Sequence, residues 1–182
     1  EIIEKILEES LNLGFDMSSE PLTDSLLKTL SASKPGGSFL ELGSGAELST
    51  SWILSGMDQA SSLVTVDYEQ DLLGILKRHL RQDQRLEVVC QDGDDFIASL
   101  EGCQFDFIFA DTWSGKYRLL DETLAMVKKG GFYIIDDMLP QDSWPEGHEE
   151  KDKDLIVYLE GHLDFHVTKL AGASGRMILV KQ

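Results

Sequence analysis

Asp67, Asp92, Asp111, Asp136 and Asp137 each stand at or just beyond the end of a short apolar run. Upstream of them, Phe39-Leu40-Glu41-Leu42 leads into Gly43-Ser44-Gly45 and then Ala46-Glu47-Leu48-Ser49. An apolar strand, a glycine turn and a helix start together make a place where backbone can come close to a nucleotide-like ligand. Asp67 follows Gly45 by 22 residues, and from the end of the next strand its carboxylate can accept hydrogen bonds from ribose hydroxyls. A single strand-end acid often only caps the helix that follows. Several acids on one rim repel one another and need water, hydrogen-bond donors, a cationic ligand or a metal to compensate.

The elements that must position these residues alternate along the chain. Apolar runs at 38–42, 63–67, 86–90, 105–110 and 132–135 read as strands, and helical spacing is expected at 49–55, 68–81, 96–100, 117–128 and 149–159. Two helices precede them: an amphipathic one over 2–13, ended by Gly14, and a second from about Thr23. Such alternation predicts a doubly wound α/β fold with right-handed crossovers, and the nearly unbroken apolar runs of strands four and five suit a parallel sheet buried on both faces. The last two strands, 164–170 and 176–180, are joined by a short loop and predict an antiparallel edge hairpin, giving seven strands in one domain over residues 1–182.

A formal net charge of −17 argues against a surface that lives on phosphate contacts, so nucleic acid is not the expected partner. No run of eighteen or more apolar residues is present, no membrane partner is expected, and the first residues lack the pattern of a signal peptide. A start at Glu1 reads as a trimmed chain. Only Cys90 and Cys103 occur, without metal-ligand or redox spacing, which points to a reduced, cytoplasmic setting. The glycine pattern narrows the ligand. A dinucleotide fingerprint starting at Gly43 requires glycine at position 48, which is Leu48, and no Gly-Lys-Ser/Thr follows as a P-loop needs. His148, after the acids, is either a cover for an acceptor pocket or an exposed loop histidine. The N-terminal helix is a candidate homodimer surface.

Taken in order, Glu41-Leu42-Gly43-Ser44-Gly45, Val66-Asp67, Asp92-Gly93 and the run from Phe105 to Asp111 are similar to the successive motifs of class I S-adenosylmethionine-dependent methyltransferases. Asp111-Thr112-Trp113-Ser114-Gly115-Lys116-Tyr117 and the run from Gly130 to Asp137 resemble the small-molecule group typified by catechol O-methyltransferase, especially its short bacterial members. The resemblance implies that Glu41, Gly43 and Gly45 line the methionine and ribose part of the cofactor. It implies that Ser49 bonds the methionine carboxylate, that Asp67, with Tyr68 beside it, holds the ribose, that Asp92 and Gly93 meet the adenine, and that Trp113 roofs the site. It also implies that Asp111, Asp136 and Asp137 hold Mg²⁺ or another divalent cation against a hydroxylated small-molecule acceptor of phenol or catechol type. That group has its basic lysine where this chain has Ser114, which leaves Lys116 as the candidate base, with Asp111 and Asp136 as catalytic carboxylates. Glu47 stands where many members have a third glycine. The other readings are a catalytically quiet S-adenosylmethionine-binding protein and a nicotinamide-dependent oxidoreductase.

Overall fold

A computed structural model describes residues 6, 8, 9, 11, 12, 14, 20–45, 48–141, 144–172 and 174–182. The amphipathic helix expected over 2–13 falls largely outside them, as does Glu47. From residue 20 the order is α1 (Pro21–Ala32), β1 (Ser38–Leu42), α2 (Leu48–Gly56), β2 (Ser62–Asp67), α3 (Gln70–Leu80), β3 (Leu86–Cys90) and α4 (Gly93–Ser99). There follow β4 (Phe105–Ala110), α5 (Leu120–Ala125), β5 (Val127–Ile135), α6 (His148–Glu160), β6 (Phe165–Leu170) and β7 (Arg176–Lys181).

The seven strands form one sheet in the order β3-β2-β1-β4-β5-β7-β6. Strands β1 to β5 pair in parallel, and β7 pairs antiparallel with both β5 and β6, so the expected hairpin closes the edge. Strand order turns at β1, which lies between β2 and β4, and the C-terminal ends of these strands face one crevice.

Alternation along the central strands builds two cores. Phe39, Phe107, Phe109 and Ile134 face α1 and α2 and pack with Leu27, Ile53 and Leu54. Leu40, Leu42, Ile108 and Ile135 face the opposite side and pack with Phe96, Leu124, Leu155 and Leu159 from α4, α5 and α6. With period two and a helical layer on each side, both sets are buried, which is why these strands are apolar throughout. Helices α1 and α2 touch closely: a Cβ added at Gly56 would lie 2.2 Å from the Lys28 carbonyl oxygen.

Two helices differ from expectation. The one predicted over 117–128 is only Leu120–Ala125, because residues 113–118 wind into a tight turn in which the Tyr117 and Arg118 amides both donate to the Trp113 carbonyl. Val127 and the two lysines after it belong to β5, whose register against β4 shifts between Phe105 and Phe107. The helix predicted at 96–100 begins three residues earlier, at Gly93, because the Asp92 carboxylate accepts from the Asp94 and Asp95 amides and starts it there. Among the described residues, no helix is long and apolar enough to cross a membrane.

Candidate active site

The crevice at the strand ends encloses about 520 Å³ and is lined by Gly43, Gly45, Ser49, Asp67, Tyr68, Asp92, Gly93, Asp111 and Asp137, all of them expected site residues. Its size falls within the range of small-molecule sites. The glycine turn is built for close approach. Gly43 has φ 88°, and a Cβ there would meet Thr112 at 2.9 Å and the Asp111 carbonyl oxygen at 3.0 Å. The Gly43 amide donates to the Val66 carbonyl at 2.9 Å and the Asp111 amide to the Leu42 carbonyl at 3.0 Å, so the turn is stitched to both neighbouring strands. A Cβ at Gly93 would lie 2.6 Å from Ser114, which leaves that wall to glycine alone.

Asp67 is braced toward the crevice. Its Oδ2 accepts from the Gly45 amide at 2.9 Å and its Oδ1 from the Glu69 amide at 3.0 Å. Each carboxylate oxygen keeps a lone pair, which suits two vicinal hydroxyls. Ser44, also in the wall, has a buried hydroxyl with no partner, as a ligand-facing group would. Leu48, Val66 and Leu72 add an apolar side, and Thr112, Ser114 and Arg118 complete the lining. Of these three, only Ser114 was singled out in the sequence, as the residue standing in place of a lysine. Arg118 donates to Asp94 Oδ2 at 2.6 Å and to Ser114 Oγ at 3.1 Å, so it bridges two walls.

Glu41 lies behind the turn instead of in the crevice wall, with 0% exposure. Ser49 and Thr65 donate to it at 2.6 Å each and Thr50 at 2.5 Å, tying β1 to β2 and to the start of α2. Burial pushes its carboxyl above the usual range, partly opposed by these three hydroxyls. Trp113 is 43% exposed and packs on Tyr117 and His148 instead of over the crevice.

The acids expected to share a cation are arranged differently from a cation cage. Asp136 is buried, and its oxygens accept from Thr23 at 2.8 Å, from Ser174 at 2.7 Å and from the Asp137 amide at 3.0 Å. Thr23 in turn accepts from Arg176, which also donates to the Gly172 carbonyl at 2.6 Å. Asp137 has φ 57° and its Oδ1 accepts from Gln141 at 2.8 Å. Among the described residues, no three His, Cys, Asp or Glu side chains are grouped to hold a metal. Donors thus hold both oxygens of Asp136 and one oxygen of Asp137, places that a cation would otherwise take. Burial, and the charges of Asp137 and Asp136, hold the Asp111 carboxyl well above its ordinary range.

Lys116 is buried, and its Nζ donates to the backbone carbonyls of Asp136 at 2.8 Å and Asp137 at 3.1 Å. Burial lowers its pKa, against the pull of the surrounding carboxylates. His148 is neither in a loop nor exposed: it opens α6 with 8% exposure.

Known proteins agree with this arrangement. The chain matches the family described as "Methyltransferase domain" over residues 40–138, the stretch from β1 past Asp137. A curated relative from Mycobacterium leprae, whose name gives a provisional O-methyltransferase assignment, is 30% identical over 95 residues, covering 50% of this chain and 42% of that protein. The chain thus spans about half the length of the curated relatives it matches. Among solved structures, an O-methyltransferase from Bacillus cereus in complex with S-adenosylhomocysteine shares the fold with a TM-score of 0.87 at 18% identity, over 100% of this chain and 90% of that one. The O-methyltransferase TomG from Streptomyces achromogenes, solved with S-adenosylmethionine, does so with a TM-score of 0.86 at 16% identity, over the same shares. Crevice, strand order and family match coincide on β1 to β5, and the chain belongs to the methyltransferase-domain family.

Proposed function

We propose that the protein transfers a methyl group from S-adenosylmethionine to an oxygen of a small hydroxylated acceptor, a phenol or catechol in type. The observation that carries this is Asp67, held by two backbone amides at the end of β2 beside a glycine turn whose neighbours exclude side chains. When bound, the cofactor supplies a sulfonium methyl open to direct displacement. Asp67 would take the ribose hydroxyls, and Gly43 to Gly45 would let the methionine portion lie against backbone. Gly93 and the apolar side chains Leu48 and Leu72 would take the adenine. Glu41 acts from behind, fixing the helix start through Ser49 and Thr50.

Lys116 serves this site as a strut. With two of its protons given to the Asp136 and Asp137 carbonyls, it holds the end of β5 against the turn after β4. Asp111 and Asp137 remain on the crevice wall, where they are placed to orient an acceptor hydroxyl. The acidic surface favours a small neutral or cationic acceptor over a polyanion.

Calorimetry against S-adenosylmethionine, S-adenosylhomocysteine and NAD tests the first half of this reading. Binding of both sulfur compounds and not of NAD is expected, and failure of both to bind would sink it. Transfer of a labelled methyl to a phenol and catechol panel tests the second half. Tight cofactor binding without turnover on any acceptor would leave the chain a binding protein.

A further inference from the structure

The turn from Trp113 to Arg118 sends the side chains at its two ends to different places. Trp113, expected to roof the cofactor, packs on Tyr117 and His148, with Lys151 Nζ 3.9 Å from its ring centre. Arg118 stands in the crevice wall with its side chain 49% exposed. One piece of backbone produces both placements. The Arg118 amide donates to the Trp113 carbonyl at 3.0 Å, and the Gly115 amide to the Arg118 carbonyl at 2.7 Å.

Among the described residues that line the crevice, Arg118 is the one basic side chain, against six carboxyl groups. It is fixed from two sides: Nε donates to Asp94 Oδ2 at 2.6 Å and Nη2 to Ser114 Oγ at 3.1 Å. Asp94 follows Gly93 in the chain, and Ser114 is the side chain that a Cβ at Gly93 would strike at 2.6 Å. The guanidinium is therefore held beside Gly93, at the end of the crevice assigned above to adenine. Arginine grips a carboxylate through a pair of parallel N–H bonds. Here the edge formed by Nε and Nη2 already serves Asp94 and Ser114, so it is closed to the methionine carboxylate. The start of α2, the side expected for that carboxylate, follows β1, and β2 lies between β1 and the strand that leads to Gly93. What Arg118 still presents is its flat face. A delocalised, weakly hydrated guanidinium plane stacks well on an aromatic ring.

We propose that Arg118 binds the adenine of the cofactor, its guanidinium plane stacking on the base in the place that Trp113 leaves. This rests on the reading of the crevice as an S-adenosylmethionine site. Asp94 and Ser114 are positioning residues, which act on the base only by holding the plane in the wall. No bond is made or broken at this end of the cofactor, so Arg118 contributes affinity for the adenosine part and takes no part in the transfer.

Calorimetry on the whole chain with two ligands tests the proposal. S-adenosylhomocysteine carries both the base and the methionine carboxylate, whereas 5′-methylthioadenosine keeps the base and ribose without the carboxylate. R118A should weaken both by the same factor, about tenfold. R118K keeps the charge without the plane and should stay about fivefold or more below the wild-type chain. D94A should cost a few-fold in the wild-type chain and nothing further in the R118A background, because it acts through the guanidinium. Arg118 is half exposed, so ligand-free R118A should stay folded, which its melting curve checks. A loss confined to S-adenosylhomocysteine would put Arg118 on the carboxylate and overturn the proposal. Wild-type affinity in R118A, or full recovery in R118K, would overturn it as well, and a D94A loss that persists in R118A would overturn the positioning role. If the wild-type chain binds neither ligand, the methyl-transfer reading falls and the proposal with it; if it binds both and R118A loses nothing, the proposal falls alone.

Discussion

The two halves of the crevice rim hold their carboxylates by different means. At the ends of β2 and β3, Asp67 accepts from the amides of Gly45 and Glu69, and Asp92 from those of Asp94 and Asp95. At the end of β5, Asp136 is held by side chains, Thr23 from α1 and Ser174 from the β6–β7 loop, together with its neighbour's amide. Backbone donors are fixed by the turn that contains them and need little else to be in place. Side-chain donors exist only once α1 and the C-terminal hairpin have docked. The half of the rim proposed for the cofactor is therefore set by local geometry, whereas the half proposed for the acceptor depends on the assembled fold.

This contrast is testable by separating binding from stability. D67A removes charge-assisted bonds made to the ligand, each about 1.5–3 kcal/mol, so S-adenosylhomocysteine affinity should fall on the order of 100-fold by calorimetry. Its melting temperature without ligand should change little. T23V should do the reverse. It leaves Asp136 and Arg176 each short of a buried partner, at a cost of about 1–3 kcal/mol, and should lower the melting temperature while leaving affinity within a few-fold. If T23V weakens binding as much as D67A does, the two halves are not separable.

A smaller effect sharpens the same division. Glu41 lies under the cofactor turn with its folded pKa raised by burial. A raised carboxyl pKa contributes stability below the unfolded value, and that contribution is lost as pH rises through the folded one. At neutral pH the burial of this carboxyl therefore costs stability that a glutamine would not. E41Q should melt higher than the wild-type chain at pH 7, by about 2–4 °C if about 1 kcal/mol is recovered. The gap should close on going to pH 4.5 and below. A gap independent of pH would show that Glu41 is not the group responsible.

The same contrast explains what the sequence disclosed. Asp67 and Asp92 hold to partners at separations of 22 residues or fewer, within a strand–turn–helix pattern, so residue order alone places them. The alternating apolar runs likewise announced the sheet and its edge hairpin. Thr23, Ser174 and Arg176 could not be found that way: Thr23 meets Asp136 across 113 positions and Arg176 across 153, and a lone threonine in a helix carries no pattern. Asp152 carries no pattern either: its partner Tyr117 is 35 positions away, in a turn where a helix was expected. Lys116 was legible as a conspicuous cation, but its task was not. Its contacts are carbonyls, which side-chain chemistry does not advertise.

The last test asks whether the acceptor side can be emptied of its donors. A divalent cation that took the Asp136 oxygens and the Asp137 oxygen now held by donors would displace Thr23, Ser174 and Gln141, and the Arg176 guanidinium would then lose the hydroxyl that accepts from it. Mg²⁺ keeps its waters reluctantly exchanged and demands near-octahedral oxygen geometry, so displacement of three satisfied donors is unfavourable. Titration of Mg²⁺ into the S-adenosylhomocysteine complex should give no measurable binding at millimolar concentration, and dialysis against chelator should leave the rate on any methylated acceptor unchanged within about twofold. T23V combined with S174A frees two oxygens of Asp136 and should raise Mg²⁺ affinity relative to the wild-type chain. Tight Mg²⁺ binding by the unaltered protein would show instead that the rim rearranges around a cation, and that its donors are placeholders.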